Sequence, residues 1–158
     1  MDVIIMQSIT KLLLRLKSDF PQYIFESGKD FIWSPSKNTI YYNKQNKDGS
    51  VFLLHELSHA LLDHVNYESD VLLIAMERQA WEETKRLSLI YKVFITDEII
   101  QSNLDSYRDW LHYRSLCPNC NSVGIEISKC FFKCIACSHK WKTNEARTCY
   151  LKRYDISK

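Results

Sequence analysis

Hydrophobic residues recur at helical spacing in several stretches of the chain. Residues 2–18 place apolar side chains three or four positions apart, with basic residues on the opposite side, and Pro21 follows. This pattern predicts an amphipathic helix that ends before the proline. Residues 69–94 and 97–114 show a similar period and predict two further helices.

The period changes between the first two of these helices. Three short runs rich in aromatic and β-branched residues are separated by turn-forming residues: Tyr23–Phe25, Phe31–Trp33 and Thr39–Tyr42. They predict a small antiparallel sheet of two or three strands. A strand beside an active-site helix can bind an extended peptide by backbone pairing. For residues 39–43, however, a purely structural strand is the interpretation that we favour.

An almost wholly apolar stretch, residues 51–62, contains the sequence H-E-x-x-H. On a helix His55 and His59 lie one above the other on the same face, so both imidazoles can bind one zinc ion. Glu56 follows the first histidine and could act as the general base on a water activated by that zinc. A chance match falls typically on an exposed, charged helix, and the apolar surroundings therefore favour a metal site.

The second long helix carries the candidates for a third ligand. On a helical wheel Glu82 points to solvent, Glu77 lies at the edge of the apolar face and Glu83 lies near its middle. Both Glu77 and Glu83 therefore remain candidates on geometry alone. His64 would face away from His59 on a continuous helix, and we interpret it as a residue of the helix end.

Six cysteines all follow residue 116. Two C-x-x-C pairs predict four thiolate ligands of a structural zinc ion in a zinc ribbon, and they comprise Cys117, Cys120, Cys134 and Cys137. Cys130 could compete as a ligand, but the paired spacing favours the other four. Cys149 is predicted to be an unligated thiol. So small a unit needs the metal for its folding energy.

Composition narrows the class of protein. A hydrophobic content of 46% is enough for a packed core. The net charge of only +2 indicates neither a nucleic-acid nor a membrane partner by itself. The amino terminus lacks the pattern of a signal peptide, no apolar run approaches the ~20 residues of a membrane span, and we expect a cytoplasmic protein. The cysteines are then metal ligands rather than disulfides.

Together these features predict an α+β fold with two domains. Residues 1–114 would form a zincin-like helical domain with a small antiparallel sheet, and residues 115–158 a zinc ribbon. We expect two zinc ions per chain, one catalytic and one structural. Basic and aromatic residues alternate in the ribbon, which can bind nucleic acid. The charge excess is modest, and we do not favour that partner.

The motifs resemble those of the ImmA/IrrE-type metallopeptidases, a gluzincin-like family. His55-Glu56-Leu57-Ser58-His59 matches the family's zinc motif, and Glu77-Arg78-Gln79-Ala80-Trp81 matches the motif that supplies its third ligand. The resemblance covers residues 1–95. It implies that His55, His59 and Glu77 bind zinc and that Glu56 is the base. Gln79 stands where the family has a second acid, and Trp81 stands where it commonly has Asn.

The pairing of H-E-x-x-H with a carboxyl-terminal ribbon is also similar to SprT/Spartan-like proteases, which act on proteins associated with DNA. That family takes its third ligand from a downstream histidine, and this chain has no histidine between His64 and His112. We therefore rank this resemblance second, and we assign His112 no role.

The leading hypothesis is a zinc metallopeptidase, a hydrolase that cleaves a protein substrate by means of a zinc-activated water, with Glu56 as the base. By analogy with the ImmA/IrrE family, the substrate would be a DNA-binding regulator. The alternative is a non-catalytic adaptor whose ribbon binds a nucleic acid or a protein. Glu56 favours catalysis, because a purely structural metal site has no use for an acid beside its ligand.

Overall fold

The computed structural model describes residues 8–145 and 150–156. These residues form helices and small sheets, so the predicted α+β class is confirmed. The helices are α1 (Ile9–Asp19), α2 (Gly49–Leu61), α3 (Asp70–Tyr91) and α4 (Asp97–Ser115). The strands are β1 (Ile24–Ser27), β2 (Ile32–Ser34), β3 (Thr39–Tyr42), β4 (Gly124–Ser128), β5 (Phe131–Cys134), β6 (Lys140–Thr143) and β7 (Arg153–Asp155).

The chain divides into two compact units. Unit 1 comprises residues 1–65 and 76–100, and unit 2 comprises residues 66–75 and 101–158. The sequence predicted a single division after residue 114. The two divisions differ because the carboxyl-terminal part of α4 groups with the cysteine-rich region. Arg114 is fully buried there, and its backbone oxygen accepts a hydrogen bond of 3.1 Å from Trp141 Nε1.

The sheet of unit 1 has the strand order β1-β3-β2. Strands β2 and β3 are antiparallel, as predicted, but β1 and β3 are parallel, which the sequence did not predict. The chain passes from β1 to the opposite edge of the sheet before it returns to the centre. Asn38 makes that return possible by adopting a left-handed conformation with φ of 51°. Strand β3 is thus paired on both sides, and β2 is an edge strand.

Helix α2 is the most deeply buried element of unit 1. Its leucines Leu53, Leu54 and Leu57 are inaccessible to solvent, as is Ile40 of the neighbouring sheet. The helix begins at Gly49, directly after Asp48. Burial on nearly every side explains why the helix lacks a polar face. It also means that the histidines of α2 must find polar partners inside the protein.

Unit 2 contains an antiparallel sheet in the order β4-β5-β6-β7. Its core consists of Phe132 and Trp141, stacked with ring centroids 5.5 Å apart, together with two buried cysteines. Gly124 is required for this packing, because a Cβ atom there would lie 2.3 Å from Trp141 Cη2. Strands β6 and β7, which pair with each other, were not predicted from the sequence.

Candidate metal centres

Helix α2 directs two imidazoles to one point. His55 and His59 are buried, and their Nε2 atoms are 3.2 Å apart. The i and i+4 spacing produces this arrangement, since one helical turn separates the two side chains. Two ring nitrogens so close together can share a proton or a metal ion.

Helix α3 adds a carboxylate at the same point. Glu77 is 3% exposed, and its carboxylate oxygens lie 3.2 Å from His55 Nε2 and 3.6 Å from His59 Nε2. One donor atom from each of these three residues lies within 4.8 Å of the others. We call this group the His–Glu cluster. Glu83, the other candidate for a third ligand, instead forms an ion pair with Arg86 at 2.5 Å.

The charges within the His–Glu cluster favour a cation at its centre. Burial opposes ionisation of Glu77, but hydrogen bonds and positive charge from the two histidines outweigh it and hold the pKa of the carboxyl well below its usual range. Burial likewise opposes a charge on His59, but Glu77 outweighs it and raises the pKa of that imidazole. The ionised, buried carboxylate of Glu77 therefore needs a positive charge beside it. A divalent metal ion bound by the two imidazoles can supply that charge.

The second nitrogen of His59 is held by a residue outside α2. His59 Nδ1 lies 2.9 Å from His64 Nδ1, and His64 Nε2 lies 3.3 Å from Gln79 Oε1. Burial and the charge of His59 lower the pKa of His64, which favours its neutral form. If Gln79 accepts from His64 Nε2–H, then His64 Nδ1 accepts from His59 Nδ1–H. That tautomer of His59 leaves Nε2 open to a metal.

His64 lies at the helix end, as predicted, but the prediction that it faces away from His59 was wrong. It assumed a continuous helix, whereas α2 ends at Leu61 and Asp63 adopts φ of 53°. This left-handed residue reverses the chain, and His64 N–H donates to the carbonyl of His59 at 3.0 Å. A left-handed turn at a helix end is most often made by glycine, and residues 60–63 contain none.

His55 is supported from two sides by α3. Its Nδ1 atom lies 3.5 Å from Thr84 Oγ1, which donates a hydrogen bond of 2.6 Å to the Ala80 carbonyl. The Trp81 indole is stacked on the imidazole, with ring centroids 4.1 Å apart. Thr84 and Trp81 are both buried, so they restrict the rotation of His55. Neither was assigned a role from the sequence, although Trp81 and Thr84 follow Glu77 by four and seven residues, which places them on neighbouring turns of α3.

We expect His64→Phe to weaken metal binding at the His–Glu cluster by about 10- to 100-fold. Phenylalanine keeps a ring of similar size but removes the acceptor for His59 Nδ1–H, and loss of such outer partners typically has this effect. The measurement is competition for Zn²⁺ or Co²⁺ against a chromogenic chelator. The exposed His112 provides the control, because His112→Phe should leave the affinity unchanged. Equal affinities for both variants would contradict a supporting role for His64.

Glu56 is held by the edge of the sheet. Its Oε2 atom accepts a hydrogen bond of 2.7 Å from the Trp33 backbone N–H, on β2. Trp33 is opposite Ile40 in the antiparallel pair, and its N–H points away from β3. The charge of Glu56 acts on His59 and helps to raise its pKa. An oriented carboxylate therefore stands beside the His–Glu cluster without being one of its three donors.

The four cysteines of the C-x-x-C pairs come together in unit 2. Cys117 Sγ lies 3.7 Å from Cys137 Sγ, and Cys120 Sγ lies 3.5 Å from Cys134 Sγ. A tetrahedral metal site with metal–sulfur bonds of about 2.3 Å has sulfur–sulfur separations of about 3.8 Å. Disulfide bonds would be far shorter, at about 2.05 Å. The spacing of these sulfur atoms therefore fits a metal ion, and we call the group the four-cysteine cluster.

Backbone N–H groups prepare the four-cysteine cluster for thiolates. Hydrogen bonds from Ser122, chiefly from its backbone, lower the pKa of Cys120 to about 6. A hydrogen bond from the backbone of His139 lowers the pKa of Cys137. Burial raises the pKa of Cys117 to about 11. That thiol therefore needs a metal to ionise at neutral pH.

Among the described residues, Cys130 lies outside this group. Cys130 is buried, and its sulfur accepts a hydrogen bond of 3.0 Å from Arg114 Nη2. This contact gives Cys130 a structural partner outside the four-cysteine cluster. Cys149, predicted to be an unligated thiol, lies outside the described residues.

No protein-family model, curated protein or solved structure matches this chain. Within residues 8–145 and 150–156, no helix combines the length and apolar character needed to cross a membrane. What can be inferred about function therefore depends on the two clusters and on the residues that surround them.

Proposed function

We propose that this protein is a zinc-dependent peptidase. The observation that carries the proposal is the carboxylate of Glu56, held by Trp33 N–H beside the His–Glu cluster. Three protein ligands of the His₂Glu type are typical of catalytic zinc, because they leave a coordination position for water. A purely structural site requires neither an open position nor an adjacent base.

Glu56 is proposed to move the proton in the reaction. Zinc, when bound, supplies a Lewis acid that acidifies water and polarises the scissile carbonyl. Glu56 would take the proton from the attacking water and deliver it to the leaving amine. His55, His59 and Glu77 would hold the metal, while His64, Thr84 and Trp81 would fix the two imidazoles. Cys117, Cys120, Cys134 and Cys137 would hold a second, structural zinc ion.

Strand β2 is the better candidate for binding an extended substrate. Residues 39–43 were considered for this role, but β3 is paired on both sides and offers no free backbone edge. The Trp33 N–H points off the sheet toward Glu56. We propose that the backbone of a protein substrate lies along β2 next to the metal and pairs with groups of this edge other than the Trp33 N–H, which Glu56 occupies. A DNA-binding regulator remains the substrate suggested by the ImmA/IrrE resemblance alone.

The zinc content of three proteins tests the metal assignment. We expect two zinc ions per chain in the unaltered protein, one in Glu77→Ala and two in Glu83→Ala. Glu83 is a matched control, because it lies on the same helix but forms an ion pair with Arg86. Elemental analysis after dialysis gives the stoichiometry. Loss of zinc from Glu83→Ala, or its full retention in Glu77→Ala, would contradict the assignment.

Hydrolysis of a quenched peptide library by the zinc-loaded protein tests the catalytic part of the proposal. Glu83→Ala should cleave the library like the unaltered protein, and Glu77→Ala should not cleave it. Two bound zinc ions without any cleavage would favour the alternative, a non-catalytic adaptor. That alternative draws its support from the four-cysteine cluster, because structural metal units of this kind commonly serve as binding modules. A SprT/Spartan-like protease is the third candidate, which cleavage of DNA-associated proteins would favour.

A further inference from the structure

One face of the sheet in unit 2 is not covered by the core. The opposite face carries the buried side chains of Phe132, Cys134 and Trp141. Strand alternation places the intervening residues outward, and the register aligns them in two rows across the strands. Ile125, Lys133 and Lys140 form one row, and Phe131, Lys142 and Tyr154 form the other. We call these six residues the outer face.

The outer face is positively charged. Its three lysines, on β5 and β6, are exposed, and no acidic residue occupies an outward position of the described strands β4 to β7. The acids of the same region are engaged elsewhere, and Asp155 of β7, opposite the inward-facing Trp141, pairs with His139 at 3.7 Å. Glu126 accepts hydrogen bonds from the backbone N–H groups of Asp70 and Cys130, and Glu145 pairs with Lys129. The charge of the outer face is therefore complementary to an anionic partner.

The outer face also carries aromatic rings beside the charges. Tyr154 is 50% exposed and lies opposite Lys142 in the register. The ammonium group of Lys142 lies 5.2 Å from the centroid of the Phe131 ring. Phe131 and Tyr154 are separated by one strand, a distance of about 10 Å. Flat rings and lysines on adjacent strands can contact bases and phosphates of one strand of nucleic acid at the same time.

We infer that the outer face of unit 2 binds single-stranded nucleic acid. Lysines on the two central strands contact the phosphates, and the rings of Tyr154 and Phe131 stack on bases. An acidic polypeptide would use the lysines but would gain little from the aromatic rings. A duplex would present the phosphates but keep its bases stacked within the helix. The rings therefore distinguish single strands from both other anions. This inference does not depend on the proposed peptidase activity.

Fluorescence anisotropy of the zinc-loaded full chain tests the inference. The probes are labelled dT12 and rU12, with a 12-base-pair DNA duplex and polyglutamate as competitors. We expect Tyr154→Leu to weaken binding at least about fivefold and Tyr154→Phe to retain it, because only a ring can stack. Lys133→Gln and Lys142→Gln should each reduce the slope of log affinity against log salt by about 0.7. The ratio of dT12 to rU12 affinity distinguishes DNA from RNA.

Two substitutions in the same unit serve as controls. Tyr113 is exposed on α4 and Lys129 is paired with Glu145, so Tyr113→Leu and Lys129→Gln should leave affinity unchanged. Zinc content of each variant reports whether the sheet is intact. The inference is overturned if neither probe binds at low salt, if polyglutamate or the duplex competes better than unlabelled dT12, or if Tyr154→Leu binds as tightly as Tyr154→Phe.

Discussion

Glu56→Gln is expected to abolish most of the peptidase activity and to leave both zinc ions bound. Glutamine has the shape of glutamate and keeps an oxygen that can accept the hydrogen bond from Trp33 N–H. It cannot accept a proton from water at neutral pH. Loss of a positioned general base lowers kcat by about 10²- to 10⁴-fold. The measurements are kcat on a cleaved peptide from the library and the zinc content of the same sample.

The control for this variant is Glu82→Gln. Glu82 lies on the exposed side of α3, where it pairs with Lys85 at 3.7 Å, and its replacement should change neither activity nor zinc content. A Glu56→Gln protein with unaltered kcat would show that Glu56 is not the base. A protein that loses one zinc ion would show instead that Glu56 supports the metal site, and the mechanism would need another base.

Replacing Cys120 and Cys137 together by serine is expected to unfold the sheet of unit 2. The buried core of this sheet is small, with Phe132 and Trp141 as its large side chains. Structural zinc contributes about 10–16 kcal/mol in comparable small units. That contribution is as large as the whole stability of a typical domain, which is about 5–15 kcal/mol. We expect loss of one zinc ion and loss of amide protection in β4, β5 and β6.

Hydrogen exchange can follow both units in one experiment on the full chain. The amides of α2 should remain protected in the double variant, because its core of Leu53, Leu54 and Leu57 belongs to unit 1. Cys130→Ser is the matched control, since serine keeps an acceptor for Arg114 and Cys130 is outside the four-cysteine cluster. A double variant with fully protected strands would mean that the apolar core alone is sufficient for folding.

Much of the local structure could be predicted from the sequence. Hydrophobic periodicity identified three of the four helices in the described part of the chain, and the apolar run around H-E-x-x-H identified α2. Runs of β-branched and aromatic residues identified the three strands of unit 1. Hydrophobic periodicity follows from the geometry of a single helix or strand, so it can be recognised without knowing what that element packs against. It did not identify β6 or β7, because charged residues alternate with single aromatic residues there and no β-branched or aromatic run forms. Nor did it indicate the parallel pairing of β1 with β3, which depends on where the chain crosses the sheet.

The ligand types were also evident in the sequence, because helical and C-x-x-C spacings bring those atoms together locally. His55 and His59 are one helical turn apart, and the spacing of each C-x-x-C pair brings its own two sulfur atoms close together. The choice between Glu77 and Glu83 was different. Both lie on α3, and only the way in which that helix packs against α2 brings Glu77 to the histidines and leaves Glu83 with Arg86.

The supporting residues of the His–Glu cluster were determined by tertiary structure alone. His64 reaches His59 because Asp63 reverses the chain, and Glu56 meets Trp33 because an edge strand passes beside α2. The residues in these contacts are not related by the spacing of a helix or a strand, so no sequence pattern indicates that they meet. The sequence by itself therefore determined which groups can bind a metal. Tertiary packing decided which of them meet and how they are oriented, because only the folded chain brings distant polar groups together where water is excluded.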